Sequence, residues 1–148
     1  MWRAKLVNMR IAAVRQWLLV LSRAHMSGRT RSVRMETRTV EGAPVVYIRG
    51  TVDMGTAPQL RDALLDLCQG PGMLLIDLSQ VPYMDSSGVG TMVYAKRACD
   101  RVGRPVVLIG MQPRVRSVFE ITHLDRFFRI VDNVAQALAP GAGGVAAK

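Results

Sequence analysis

Leu75-Ile76-Asp77-Leu78-Ser79-Gln80-Val81-Pro82-Tyr83-Met84-Asp85-Ser86-Ser87-Gly88-Val89-Gly90 is the stretch on which the reading of this chain turns. It opens inside a short apolar run, Met73 to Leu78, the pattern of a strand buried on both faces. It closes on three good helix-capping residues, Asp85, Ser86 and Ser87, ahead of a helical pattern from Ser86 to Val102 that stops at Gly103. A strand that leads through a polar turn into a helix is the unit of an α/β sheet. In such sheets functional groups gather at the carboxyl ends of strands and the amino ends of the helices that follow.

Working outward, the same alternation fills the chain from Val33 to Leu138. Arg34 to Val40 and Pro44 to Arg49 form a hairpin around the turn Glu41-Gly42. Thr56 precedes a helix with Leu60, Ala63, Leu64 and Leu67 on one face, closed by Gly70-Pro71-Gly72. Pro105 to Ile109 is a second buried strand and Pro113 to Glu120 a short helix. Phe127 to Val131 is a last strand, and Asn133 to Leu138 a closing helix. The order β-β-α-β-α-β-α-β-α predicts an α/β fold: a mixed four- to five-stranded sheet with helices packed on it.

Composition narrows the rest. The 148 residues suit one domain, and 49% apolar with 21% charged side chains is the balance of a globular chain. The net charge of +9 points at first to nucleic acid or a membrane surface. Eight basic and no acidic residues fall within 1–34, however, which leaves twelve basic and all eleven acidic ones for the remainder. The globular part is close to neutral, and with 5% aromatic residues it has no stacking surface, so no direct nucleic-acid partner is expected.

Residues 1–32 read as a basic extension, 33–139 as the domain and 140–148 as a small-residue tail. The extension reads as a flexible arm, a start placed upstream of the true one, or a weakly patterned membrane-surface helix. Its apolar stretch is split by Arg15, so no transmembrane segment is expected. Cys68 and Cys99, 31 positions apart, match no metal or redox motif, and a single pair makes no disulfide framework. A reduced, cytoplasmic protein without metal or cofactor is the expectation.

At Met84 to Gly90, a hydroxyl at the start of a helix would face unpaired backbone amides and the positive end of the dipole, which suits a phosphate. By composition alone Asp-Ser-Ser-Gly is an ordinary cap. Enzymatic readings find less support. No Gly-x-Ser-x-Gly elbow, P-loop or third dinucleotide glycine is present, and His123 is the only histidine of the globular part. No catalytic residue is expected.

These residues carry a resemblance. From about Val33 to Leu138 the chain resembles a STAS domain, specifically a bacterial anti-sigma factor antagonist. Leu75 to Gly90 is nearly the family's central signature, and Ile48 to Asp53 is similar to its Gly-Glu-x-Asp segment, with Thr51 where glutamate is frequent. Thr56 to Arg61 matches the start of its first helix, and Val115 to Phe128 its later amphipathic segment. The resemblance implies partner switching. The unphosphorylated protein binds an anti-sigma factor that is also a serine kinase, freeing a sigma factor. Phosphorylation then releases it, and a PP2C-type phosphatase restores it. Carried over, Ser86 is the phosphoacceptor, and Asp53, Asp85, Ser87, Gly88 and Gly90 belong to the partner face. The alternative within the family is a scaffold subunit of a stressosome-like or lipid-transport complex.

Overall fold

A computed structural model describes residues 33–140, and the extension 1–32 and nearly all of the tail lie outside the described residues. The chain runs β1 (Arg34–Val40), β2 (Ala43–Arg49), α1 (Ala57–Cys68), β3 (Leu74–Gln80), α2 (Ser86–Arg101) and β4 (Val106–Ile109), then α3 (Pro113–Ile121), a 3-10 turn (Leu124–Arg126), β5 (Arg129–Val131) and α4 (Val134–Leu138). The five strands lie in sequence order across one sheet. β1 pairs with β2 antiparallel, and each later neighbour is parallel, so a helix fills each crossover from β2 to β4. The expected sheet is present with five strands.

The hairpin turn explains its own sequence. Glu41 and Gly42 both take positive φ, 50° and 80°, the twist that a tight two-residue turn between antiparallel strands demands. Beyond it, successive residues of β2, β3 and β4 point to opposite faces and both faces are buried. Val46, Ile48, Leu74, Ile76, Leu78 and Leu108 meet Leu60 and Leu64 of α1, Val89 and Met92 of α2 and Val115 and Phe119 of α3. Val45, Leu75, Val107 and Ile109 form the opposite layer, with Ala137 of α4. A strand apolar at every position is what this two-sided burial requires.

One feature departs from expectation, and a second is unusual for a charged residue. Cys68 and Cys99 form a disulfide, with Cα atoms 4.9 Å apart, where a reduced pair was expected. The physical reason is that 31 residues are one complete crossover. α1 ends at Cys68, β3 runs out, and α2 returns beside α1, so its last turns bring Cys99 alongside. Sequence spacing does not report that closeness.

The second feature is Arg104, only 4% exposed although charged. Its guanidinium donates to the carbonyls of Leu67, Pro71 and Gly72, tying the end of α1 to the start of β4. Burial pulls its pKa down to about 10, which still leaves it cationic near neutral pH. Lys96, also buried, pairs with Asp100 at 2.9 Å and lies over the ring of Phe127.

Candidate functional site: the amino end of the second helix

Two loops leave the sheet side by side at the carboxyl ends of β2 and β3. Val52 and Met84 form a parallel bridge, the Val52 amide donates to Tyr83 O, and the Asp85 amide donates to Val52 O. The loop ahead of α1 is therefore zipped to the loop ahead of α2.

Asp85 is the N-cap of α2, with extended backbone. Its Oδ1 accepts from the amides of Ser87 at 2.8 Å and Gly88 at 3.0 Å, and its Oδ2 accepts from the amide of Met54 at 3.2 Å. One carboxylate thus satisfies two orphan amides of the helix and one of the neighbouring loop. This corrects the picture of several unpaired amides awaiting a ligand. Asp85 occupies two of them, and what remains for an anion at position 86 is the amide of Ser86 and the helix dipole.

Asp53 works similarly within its own loop. Its Oδ1 accepts from the amides of Gly55 and Thr56, while the Thr56 hydroxyl accepts from the Asp53 amide and donates to Thr51 O. Thr51, where the family pattern often has glutamate, thus contributes its backbone to this turn.

Ser86, the first residue of α2, is exposed, and its hydroxyl makes no hydrogen bond to the described residues. Ser87 is half-buried. Of the three capping candidates, the aspartate took the cap, which leaves the neighbouring hydroxyl available for chemistry.

The two glycines differ sharply. Gly88 is buried, and a Cβ there would lie 2.5 Å from Met84 Cγ and 2.7 Å from Val52 Cγ1. Its smallness lets α2 seat against the zipped loops, so it is part of the packing rather than of an accessible face. A Cβ on Gly90 would meet nothing within 4 Å, and the residue is exposed.

The structure thus places Ser86 and Gly90 on the surface and gives Asp85, Gly88 and the side chain of Asp53 work inside the fold. Sequence reasoning missed Met54, which is 77% exposed directly above the Asp85 cap, and Tyr83, 45% exposed in the other loop. A methionine in a polar turn, Asp53-Met54-Gly55-Thr56, was the available signal.

Comparisons with known proteins place the chain in a family. The STAS domain matches residues 34–137. The chain is 36% identical over 86 residues to the anti-sigma-B factor antagonist of Listeria monocytogenes, covering 57% of this chain and 75% of that protein. It is 31% identical over 94 residues to the anti-sigma-B factor antagonist of Staphylococcus aureus, covering 63% and 87%. Among solved structures it is similar to an anti-sigma factor antagonist from Mycobacterium paratuberculosis, at 26% identity and a TM-score of 0.65, covering 76% of this chain and 96% of that one. With the domain matched over most of its length and the signature loop built as described, the chain belongs to the STAS domain family.

Proposed function

We propose that this protein is an anti-sigma factor antagonist that works by partner switching. Unphosphorylated, it binds an anti-sigma factor that is also a serine kinase, and so releases a sigma factor. That kinase phosphorylates Ser86 and ends the complex, and a PP2C-type phosphatase resets it. The cytoplasm is where such an exchange would run. In this reading the chain is a regulatory binding protein, not an enzyme.

The observation that carries the reading is the placement of Ser86. It is exposed at the start of α2, its hydroxyl is unengaged among the described residues, and Asp85 holds the surrounding backbone through three amides. Phosphorylation would add about −1.5 to −2 charges next to the Asp85 carboxylate without disturbing a buried group. In an interface, a penalty of about 3 kcal/mol weakens binding roughly a hundredfold. Names of relatives that are anti-sigma-B factor antagonists support the same role.

The test is to mix the full chain with each purified anti-sigma factor kinase of the source bacterium and ATP, and to map phosphate by mass spectrometry. Phosphate on Ser86, retained in Ser87→Ala and lost in Ser86→Ala, is expected. Phosphate on Ser87 alone would move the acceptor. Labelling of neither serine, with no kinase bound, would favour a STAS scaffold subunit instead.

A further inference from the structure

Gly90 stands in the interior of α2, where glycine weakens a helix relative to alanine. Its neighbour Gly88 has a reason inside the molecule, since any side chain there would strike Met84 and Val52. Gly90 has none. It is exposed, its backbone is helical, and the space where a Cβ would sit is open. The missing side chain serves nothing within the described residues.

Exposed aromatic and cationic groups surround it. Ser86, Gly90 and Tyr94 follow at intervals of four along the exposed side of α2, and Arg97 continues that side. Tyr94 is 46% exposed, and the guanidinium of Arg61 from α1 lies 4.2 Å from the centre of its ring. Arg61, Arg97 and Arg101 are exposed and pair with no carboxylate among the described residues. The acidic residues of α1, Asp62 and Asp66, lie roughly 100° and 140° round the helix from Arg61. A guanidinium stacked on a ring keeps its N–H edge for a carboxylate.

We propose that Gly90 is the point of closest approach for an α-helix of the partner, laid along α2 and acidic where it passes Arg61, Tyr94 and Arg97. This rests on the antagonist reading and specifies the partner surface for it. The separation of two packed helices is set by the side chains between them, so a glycine brings the partner backbone close. Ser86 lies one turn away. A phosphate there would add bulk and charge one turn from the closest approach, which gives the switch its leverage.

The experiment measures affinity of the full chain, unphosphorylated, for each purified anti-sigma factor kinase of the source bacterium, with thermal melting in parallel. Gly90→Ala should melt higher than wild type and bind severalfold more weakly. Gly90→Leu should fold and bind at least about tenfold more weakly, and Arg61→Glu should weaken binding by a similar factor with a reduced salt dependence. If Gly90→Leu, or Gly90→Ala should the leucine variant not fold, binds within about twofold of wild type, the close approach is overturned. Loss of binding in the glycine variants with Arg61→Glu unaffected overturns the acidic chemistry. Wild type that neither binds any kinase nor is labelled on Ser86 overturns the antagonist reading itself, and this inference with it.

Discussion

The Oδ2 atom of Asp85 accepts a hydrogen bond from the backbone amide of Met54, 31 residues earlier in the chain, at 3.2 Å. The same carboxylate caps α2 through its other oxygen. Two loops from adjacent parallel strands therefore share one anionic clasp, and the exposed residues of each, Met54 and Ser86, are displayed from a common support.

Removal of that clasp should cost stability. Asp85→Ala takes away the cap and the cross-loop bond, an expected loss of about 2–3 kcal/mol in urea unfolding. A loss below about 0.5 kcal/mol would mean that water replaces the carboxylate without penalty.

Ser86 should behave in the opposite way. With the cap supplied by Asp85 and the serine hydroxyl unengaged among the described residues, Ser86→Ala should lie within about 0.5 kcal/mol of wild type. It should bind the kinase and accept no phosphate. Ser86→Asp carries one charge rather than nearly two, so its affinity should fall between those of Ser86→Ala and the phosphorylated protein. Calorimetric titration of all three checks the order, and equal affinities would remove charge as the basis of the switch.

Gly88 offers a stability contrast two residues further on. Gly88→Ala forces a methyl group against Met84 and Val52, and overpacking of about 1–3 kcal/mol should outweigh the gain in helix preference of up to about 1 kcal/mol. A net destabilisation of about 1–2 kcal/mol in urea is expected. A stabilised variant would show that α2 can shift off the loops.

The Cys68–Cys99 disulfide closes a segment 31 residues long. Loop-closure entropy assigns such a link about 3–4 kcal/mol. Treatment with a reductant, or Cys68→Ser with Cys99→Ser, should lower the melting temperature accordingly. Intact-mass analysis after alkylation under native conditions gives the thiol count. Two alkylated cysteines and no response to reductant would contradict the link.

Arg104 should matter at all working pH values. Arg104→Met leaves the carbonyls of Leu67, Pro71 and Gly72 without this donor, a cost of about 3 kcal/mol. Burial depresses the folded-state pKa to about 10, so the folded and unfolded states differ in protons bound only from about that pH upward. Stability carried by this group should therefore be flat from pH 6 to 9 and rise only beyond about pH 10. A difference between wild type and Arg104→Met that changes between pH 6 and 9 would require another titrating group.

The fold was legible because two-sided burial forces apolar runs and one-sided burial forces helical periodicity. Leu74 to Leu78 and Leu60 to Leu67 write those rules directly. The 3-10 turn at Leu124–Arg126 has too few residues to leave a period. At the site, residue types located the helix start, but three adjacent capping residues gave no means of choosing the one that caps. Gly88 and Gly90 look alike in the sequence because their difference lies in what stands beside them, Met84 and Val52 for one and solvent for the other. The polar turn around Met54 hinted at its exposure, but its place beside the Asp85 cap depends on a bond to a residue one crossover away. The disulfide was hidden for the same reason.

The zipped pair of loops also separates what must stay fixed from what is open to change. Val52, Asp85 and Gly88 bear the architecture, whereas Met54, Ser86 and Tyr94 stand on it with their side chains outward and Gly90 presents bare backbone. In the antagonist reading proposed above, replacements at Met54 or Tyr94 would alter which partner is accepted at little cost to folding. A genome with several copies of this domain could therefore keep its signalling circuits insulated from one another by varying a few outward positions, with the same phosphorylation chemistry running in each.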